Sequence, residues 1–205
     1  MNMGSCGLHT VHNSCKEAVK KSDRNGMEFV KACSYLFKDV PARRSDHIRL
    51  NQSENSKTPE FPLKHYSVRW LENEPAIERA LQIIPNLETF VKGVSKEKIK
   101  IDTKSFSTVK HCRDDSFLSA KPAFLGFVAK QITPFLTNYQ SEAPIAPFLF
   151  SDLSAMIRDM LFLFVKESVI QDANSVHAVN LKDEQNWLPL KKVYCGFAVK
   201  AELKS

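Results

Sequence analysis

Apolar positions recur at helical spacing along most of this chain. Between about His9 and Lys21, Val11, Cys15, Ala18 and Val19 fall on one face, the rhythm of an amphipathic helix. Ser22-Asp23-Arg24-Asn25-Gly26 interrupts it with turn formers and a closing glycine. A second helix is predicted over about Met27 to Lys38, with Phe29, Val30, Cys33, Leu36 and Phe37 as its apolar face. Pro41 stops it and opens a third, polar helix running to about Leu50. Residues 51–62 form a polar loop. Arg69-Trp70 then opens a long predicted helix over about Leu71 to Val94. Ile77, Ala80, Leu81, Ile84, Leu87, Phe90 and Val91 make its stripe, and Pro75 and Pro85 are expected to bend it. Residues 95–101 read as a charged linker, and a short helix is expected at 103–111. Another helix runs from about Pro122 to Tyr139, with a kink expected at Pro134. Pro144 and Pro147 separate it from a last strong helix, about Phe148 to Ile170. The tail from Asp172 is mixed. No internal repeat or low-complexity run is present, so the body of the chain is expected to be mainly α.

With 205 residues the chain suits one domain or one and a half. Its 43% hydrophobic and 25% charged content is that of an ordinary globular protein able to bury a core. The formal charge of +6 is unevenly placed. From Lys92 to Lys130 nine basic residues face four acidic ones, a surplus of five. Such a stretch either favours phosphate backbones or is a solvated lysine-rich linker. The five scattered cysteines do not read as a disulfide framework. Met1 to Gly4 shows neither a basic n-region nor an apolar h-region, so no signal peptide is expected. The most apolar run, Met160 to Val165, is bracketed by Arg158-Asp159 and Lys166-Glu167. A bilayer needs roughly 20 apolar residues, so this run is read as a buried helix, with no membrane partner. An intracellular, reducing compartment is the default expectation.

Cys6, His9, His12 and Cys15 stand three residues apart, which invites a zinc reading. Three residues turn a helix by about 300°, so successive side chains drift by about 60°. Cys6 and Cys15 would face opposite sides, and one helix cannot wrap four ligands around an ion. A neighbouring pair would need help from elsewhere, for example His111 and Cys112. The simpler alternative is a buried Cys6 and a hydrogen-bonded His9, so no metal and no cofactor are expected. Trp70 has two readings, core packing or stacking on a base, with Arg69 able to pair with phosphate. Asp114-Asp115 and Asp152/Asp159 read as solvated or capping acids. Asp152 in particular lies in the first turn of its predicted helix. No nucleophile–base pair, phosphate-binding loop or dinucleotide fingerprint occurs.

Cys6-Gly7-Leu8-His9 and, later, Arg69-Trp70 resemble in type and order the Cys-x-x-His and Arg-Trp motifs of hAT-family transposases. Those enzymes cut DNA with a ribonuclease-H-like core interrupted by a helical insertion. The resemblance covers about residues 4–200, with specific motifs at 6–14 and 67–72. It implies a core strand just before Cys6. It also implies a mainly α fold, a helical bundle attached to a small remnant of the α/β ribonuclease-H-like core. Residues 1–60 would hold the end of that core and the following helices, and residues 61–205 the insertion-like domain. Cys6 and His9 would shape a site around DNA, with His9, Arg69 and Trp70 as nucleic-acid-binding residues. Two-metal phosphoryl transfer needs converging carboxylates. In the family two aspartates precede Cys-x-x-His, whereas the five residues before Cys6 include no acid. No glutamate in residues 172–205 matches the context of the family's third acid. The implied protein is therefore a catalytically inactive transposase-derived fragment in the nucleus, with weak, non-specific DNA binding or a regulatory role. The alternatives are a helical protein-interaction module with no DNA role, and a decayed reading frame.

Overall fold

The computed structural model describes residues 7–22, 24–52, 59–66, 70–140 and 146–203. Among them helix dominates and no strand forms. The elements are α1 (Gly7–Ser22), α2 (Arg24–Leu36), α3 (Pro41–Asn51), α4 (Glu74–Gln82), α5 (Ile84–Lys96), α6 (Lys104–Cys112), α7 (Ala120–Tyr139), α8 (Leu149–Phe162), α9 (Glu167–Asp172) and α10 (Phe197–Glu202). The mainly helical expectation therefore holds. The strand expected before Cys6 lies outside the described residues.

The helices group into two compact units. One holds the described residues up to Gly126 and those from Ala198, and the other spans Phe127–Phe197. In the first unit α2 packs on α6 and α4, α3 packs on α5, and α1 packs on α2. The apolar faces read from the sequence supply its core. Phe29, Leu36, Ile77 and Phe90 are at most 1% exposed, and each such side chain contributes about 1.5–3 kcal/mol through burial. Polar α3 enters this core through one residue. His47 is fully buried among the rings of Phe37, Phe61 and Phe90, with centroids 4.7, 5.3 and 5.5 Å away. Pro41 occupies the start of α3, where its missing N–H costs nothing, and Thr103 caps α6 by accepting from the Phe106 N–H. The division expected at residue 60 falls inside this unit, whose helices on both sides of it pack together.

Two long helices foreseen as continuous are interrupted. The 71–94 stretch becomes a 3₁₀ turn, Trp70–Asn73, then α4 and α5, with a break at Ile83 (φ −93°, ψ 0°). Pro75 and Pro85 each sit in the first turn of a new helix, because proline offers no N–H to the preceding turn and crowds its carbonyl. The 148–170 stretch leaves the helix at Leu163. There the Lys166 N–H donates to Asn186 O (2.9 Å), Leu188 N–H to Phe164 O (2.8 Å) and Tyr194 N–H to Leu163 O (3.2 Å), while Val165 forms an isolated bridge with Trp187. The tail thus takes over the backbone groups of an aromatic and β-branched run that suits extended structure. Leu161, Val165, Ile170 and Val179 form one buried apolar cluster of this second unit.

Candidate nucleic-acid interface

The residues singled out by the transposase resemblance are only partly described. Cys6 and Arg69 lie outside the described residues. His9 is exposed in the first turn of α1. Trp70 opens the 3₁₀ turn, and that turn packs against α1. The two motif-bearing elements are therefore neighbours, although far apart in sequence. His12 is buried on α1. Burial raises the thiol of Cys15 to about 11, which keeps it protonated and a poor metal ligand at neutral pH. His111 is exposed while its neighbour Cys112 is buried, so the two point to different sides of α6. Among the described residues no group of three or more His, Cys, Asp or Glu side chains is arranged to hold a metal ion.

A lysine–tyrosine surface stands nearby on the same unit. Lys31 and Tyr35, one turn apart on the outer side of α2, face Lys104, Ser105 and Thr108 of α6 across a groove of about 360 Å³. Among the described residues Glu28 is the only acid lining it. Tyr35 is 44% exposed, and Lys38 Nζ lies 5.7 Å from its ring centroid. The segment at 64–66 adds a second pair alongside α2. Lys64 Nζ lies 5.1 Å from the centroid of Tyr66, which is also 44% exposed.

This segment is held at both of its last residues. The His65 backbone N–H donates to Ser34 Oγ of α2 at 3.0 Å. Asn73, fully buried, accepts from the Tyr66 N–H at 2.7 Å and donates from Nδ2 to the Tyr66 carbonyl at 2.8 Å. A side-chain amide thereby stands in for a strand partner. Neither ring nitrogen of His65 makes a hydrogen bond among the described residues. Burial, then the charge of Lys31, holds the His65 pKa below the ordinary histidine value. Among the described residues no ion pair holds Lys31, Lys38, Lys64 or Lys104, so four free cations flank two exposed rings.

The basic stretch expected between Lys92 and Lys130 is divided by the fold. Lys121 pairs with Asp115 (2.5 Å), Arg113 lies 3.5 Å from Asp114, and Lys92 lies 4.0 Å from Glu88. Lys96, Lys98, Lys100, Lys104 and Lys110 are exposed without an ion pair among the described residues. Only Lys104 of this stretch lines the groove. Lys31, Tyr35, Lys38, Lys64, Tyr66 and Asn73 were not foreseen as site residues. The available signal was lysine interleaved with tyrosine off the apolar face of α2, and again just before Trp70. No protein-family model, curated protein or solved structure matches this chain.

Proposed function

We propose that the protein binds nucleic acid loosely and without sequence preference, favouring single strands, through the lysine–tyrosine surface of its first unit. One observation carries the reading: two exposed tyrosines each have a lysine over the ring, and one of them, Tyr35, shares with Lys31 and Lys104 a groove whose lining, among the described residues, holds one acid, Glu28. An exposed ring offers a stacking face to an unpaired base, worth about 1–3 kcal/mol per base, while lysines neutralise phosphates. Duplex DNA keeps its bases stacked inside and can use only the lysines.

The same reading takes the chain as derived from an hAT transposase, with a remnant of the ribonuclease-H-like core, a nuclear location and no catalysis. Its support is the order of the Cys-x-x-His and Arg-Trp motifs and the packing of the Trp70–Asn73 turn on α1. In this reading His9, Arg69 and Trp70 extend the nucleic-acid surface.

The test is a titration of fluorescently labelled oligothymidine and of duplex DNA, read by anisotropy at several salt concentrations. Log K should fall with log salt with a slope of about −3 if all four lysines meet phosphates of a single strand, each contributing about −0.7. Tyr35→Ala and Tyr66→Ala should each weaken single-strand binding by about 1–3 kcal/mol and leave duplex binding almost unchanged. Trp70→Ala, followed by a thermal melt, separates stacking from packing. Loss of binding with an unchanged melt supports contact with a base, whereas about 3–5 kcal/mol of lost stability marks a core residue. Absence of binding to either form at low salt removes the proposal. Metal-dependent nicking of DNA by repurified protein would overturn the inactive assignment.

A further inference from the structure

The second unit carries a groove of about 440 Å³ between the C-terminal half of α7 and the exposed side of α8. Its apolar lining includes Pro134, Phe135, Met156 and Met160. Among the described residues its only charged lining residues are Asp152 and Asp159, although the chain as a whole carries +6. The two acids are seven residues apart on one face of α8, hence about 10 Å along the helix. Met156 lies between them on the same face. Asp152 is held in place, because its Oδ2 accepts from the Tyr139 hydroxyl at 2.8 Å. Burial and the Asp152 charge raise the Tyr139 pKa to about 12, so the phenol remains a donor at any physiological pH.

Much of the apolar surface of helix α8 is only half-buried: Leu149, Leu153, Met156, Ile157 and Met160 all keep part of their side chains accessible. Of its fourteen residues only Leu161 is buried, while Phe150 is 73% exposed and Phe148, just before it, 59%. Methionines on such a floor adapt to varied partner side chains. A trough with an apolar floor and a carboxylate two turns apart at each end matches one kind of occupant: an amphipathic helix with apolar anchors at i and i+3 or i+4 and cations about two turns apart. The complementarity is one of sign, since among the described residues no lining cation competes for the carboxylates. We infer that the α7–α8 groove is a docking site for a basic amphipathic helix of a partner protein. The inference is independent of nucleic-acid binding, because none of its residues belongs to the lysine–tyrosine surface.

The probe is a fluorescein-labelled leucine–lysine helical peptide with lysines two turns apart, titrated into the full chain. A peptide with glutamate in place of lysine is the control. The lysine peptide should bind at least about tenfold more tightly than the glutamate peptide. Asp159→Lys should weaken the lysine peptide about tenfold and strengthen the glutamate peptide. Ala155→Arg, at an exposed position of the groove wall, should block both while the thermal melt stays that of the parent. Equal affinity for the two peptides overturns the inference. So does binding that ignores Ala155→Arg, or sedimentation showing that the groove is closed by a second copy of the chain. If one variant unfolds, the charge-swap pair alone still decides.

Discussion

Replacing Asn73 by alanine removes both hydrogen bonds that hold the backbone of Tyr66. Asn73 is fully buried, and its amide meets the Tyr66 N–H at 2.7 Å and the Tyr66 carbonyl at 2.8 Å. A neutral hydrogen bond is worth about 0.5–1.5 kcal/mol net, and a buried partner left unmatched costs about 1–3 kcal/mol. The Tyr66 groups are only partly buried, so water can satisfy some of the loss. The expected cost is therefore about 2–3 kcal/mol, a fall in Tm of about 5–10 °C for a chain of this size. Asn73→Asp separates the two bonds. It keeps an acceptor for the N–H but sets a carboxylate oxygen against the Tyr66 carbonyl.

The introduced carboxyl is buried and faces an acceptor, so its folded pKa is raised above the unfolded value of about 3.9. The folded state then holds its proton more tightly. The variant is closest to the parent below about pH 4 and loses stability as pH rises through the raised folded value. Denaturant melts of parent, Asn73→Ala and Asn73→Asp at pH 5 and pH 7 measure this. A cost below about 0.5 kcal/mol for Asn73→Ala, or an Asn73→Asp deficit that does not grow with pH, would refute the clamp. Oligothymidine binding supplies the functional arm. If the clamp presents Tyr66 to a base, Asn73→Ala should weaken single-strand binding as Tyr66→Ala does, measured at a temperature where both are folded.

Two further outcomes follow from the core. Burial holds the His47 and His65 pKa values below the ordinary one. The unfolded chain therefore takes up protons first, and stability complete above about pH 6.5 is lost as pH falls toward the folded values. His47→Phe, placed among Phe37, Phe61 and Phe90, should flatten that part of the pH–stability curve, and an unchanged curve would contradict the assignment. Gly196 has φ +92°, and a Cβ there would lie 2.8 Å from Phe127 Cδ2. Gly196→Ala should cost about 2 kcal/mol by chemical denaturation, and a neutral effect would show that the turn relaxes freely.

The helices were legible because their apolar stripes are long and regular. The face foreseen on α2 holds Phe29, Val30, Cys33, Leu36 and Phe37, and all five are buried. What escaped was the interruption of long stripes. Pro85 was expected to bend a helix and instead starts a new one. The exit at Leu163 depends on Asn186, Leu188 and Tyr194, partners that helical periodicity cannot supply. Apolar periodicity reports which face is buried. It does not report where a distant strand-like segment offers the backbone a better partner than the next turn.

The candidate site was less legible, for a related reason. Asn73 precedes Glu74-Pro75 at a helix start, so its local reading is an N-cap. Its backbone occupies the cap position without a side-chain cap bond, and its amide reaches back to Tyr66 instead. Charge counting failed in a similar way. The surplus between Lys92 and Lys130 treats every cation alike, whereas Lys121, Arg113 and Lys92 stand beside acids close by in the chain. The free cations next to aromatic rings come mostly from elsewhere: Lys31 and Lys38 at α2, and Lys64 on the segment that Asn73 fixes. Phosphate recognition depends on cations without a competing carboxylate, and base stacking on rings that remain exposed. Both are properties of the folded surface. A stretch of lysines becomes a candidate interface only where the fold separates them from their acids and sets an exposed ring beside them, as it does at Tyr35 and Tyr66.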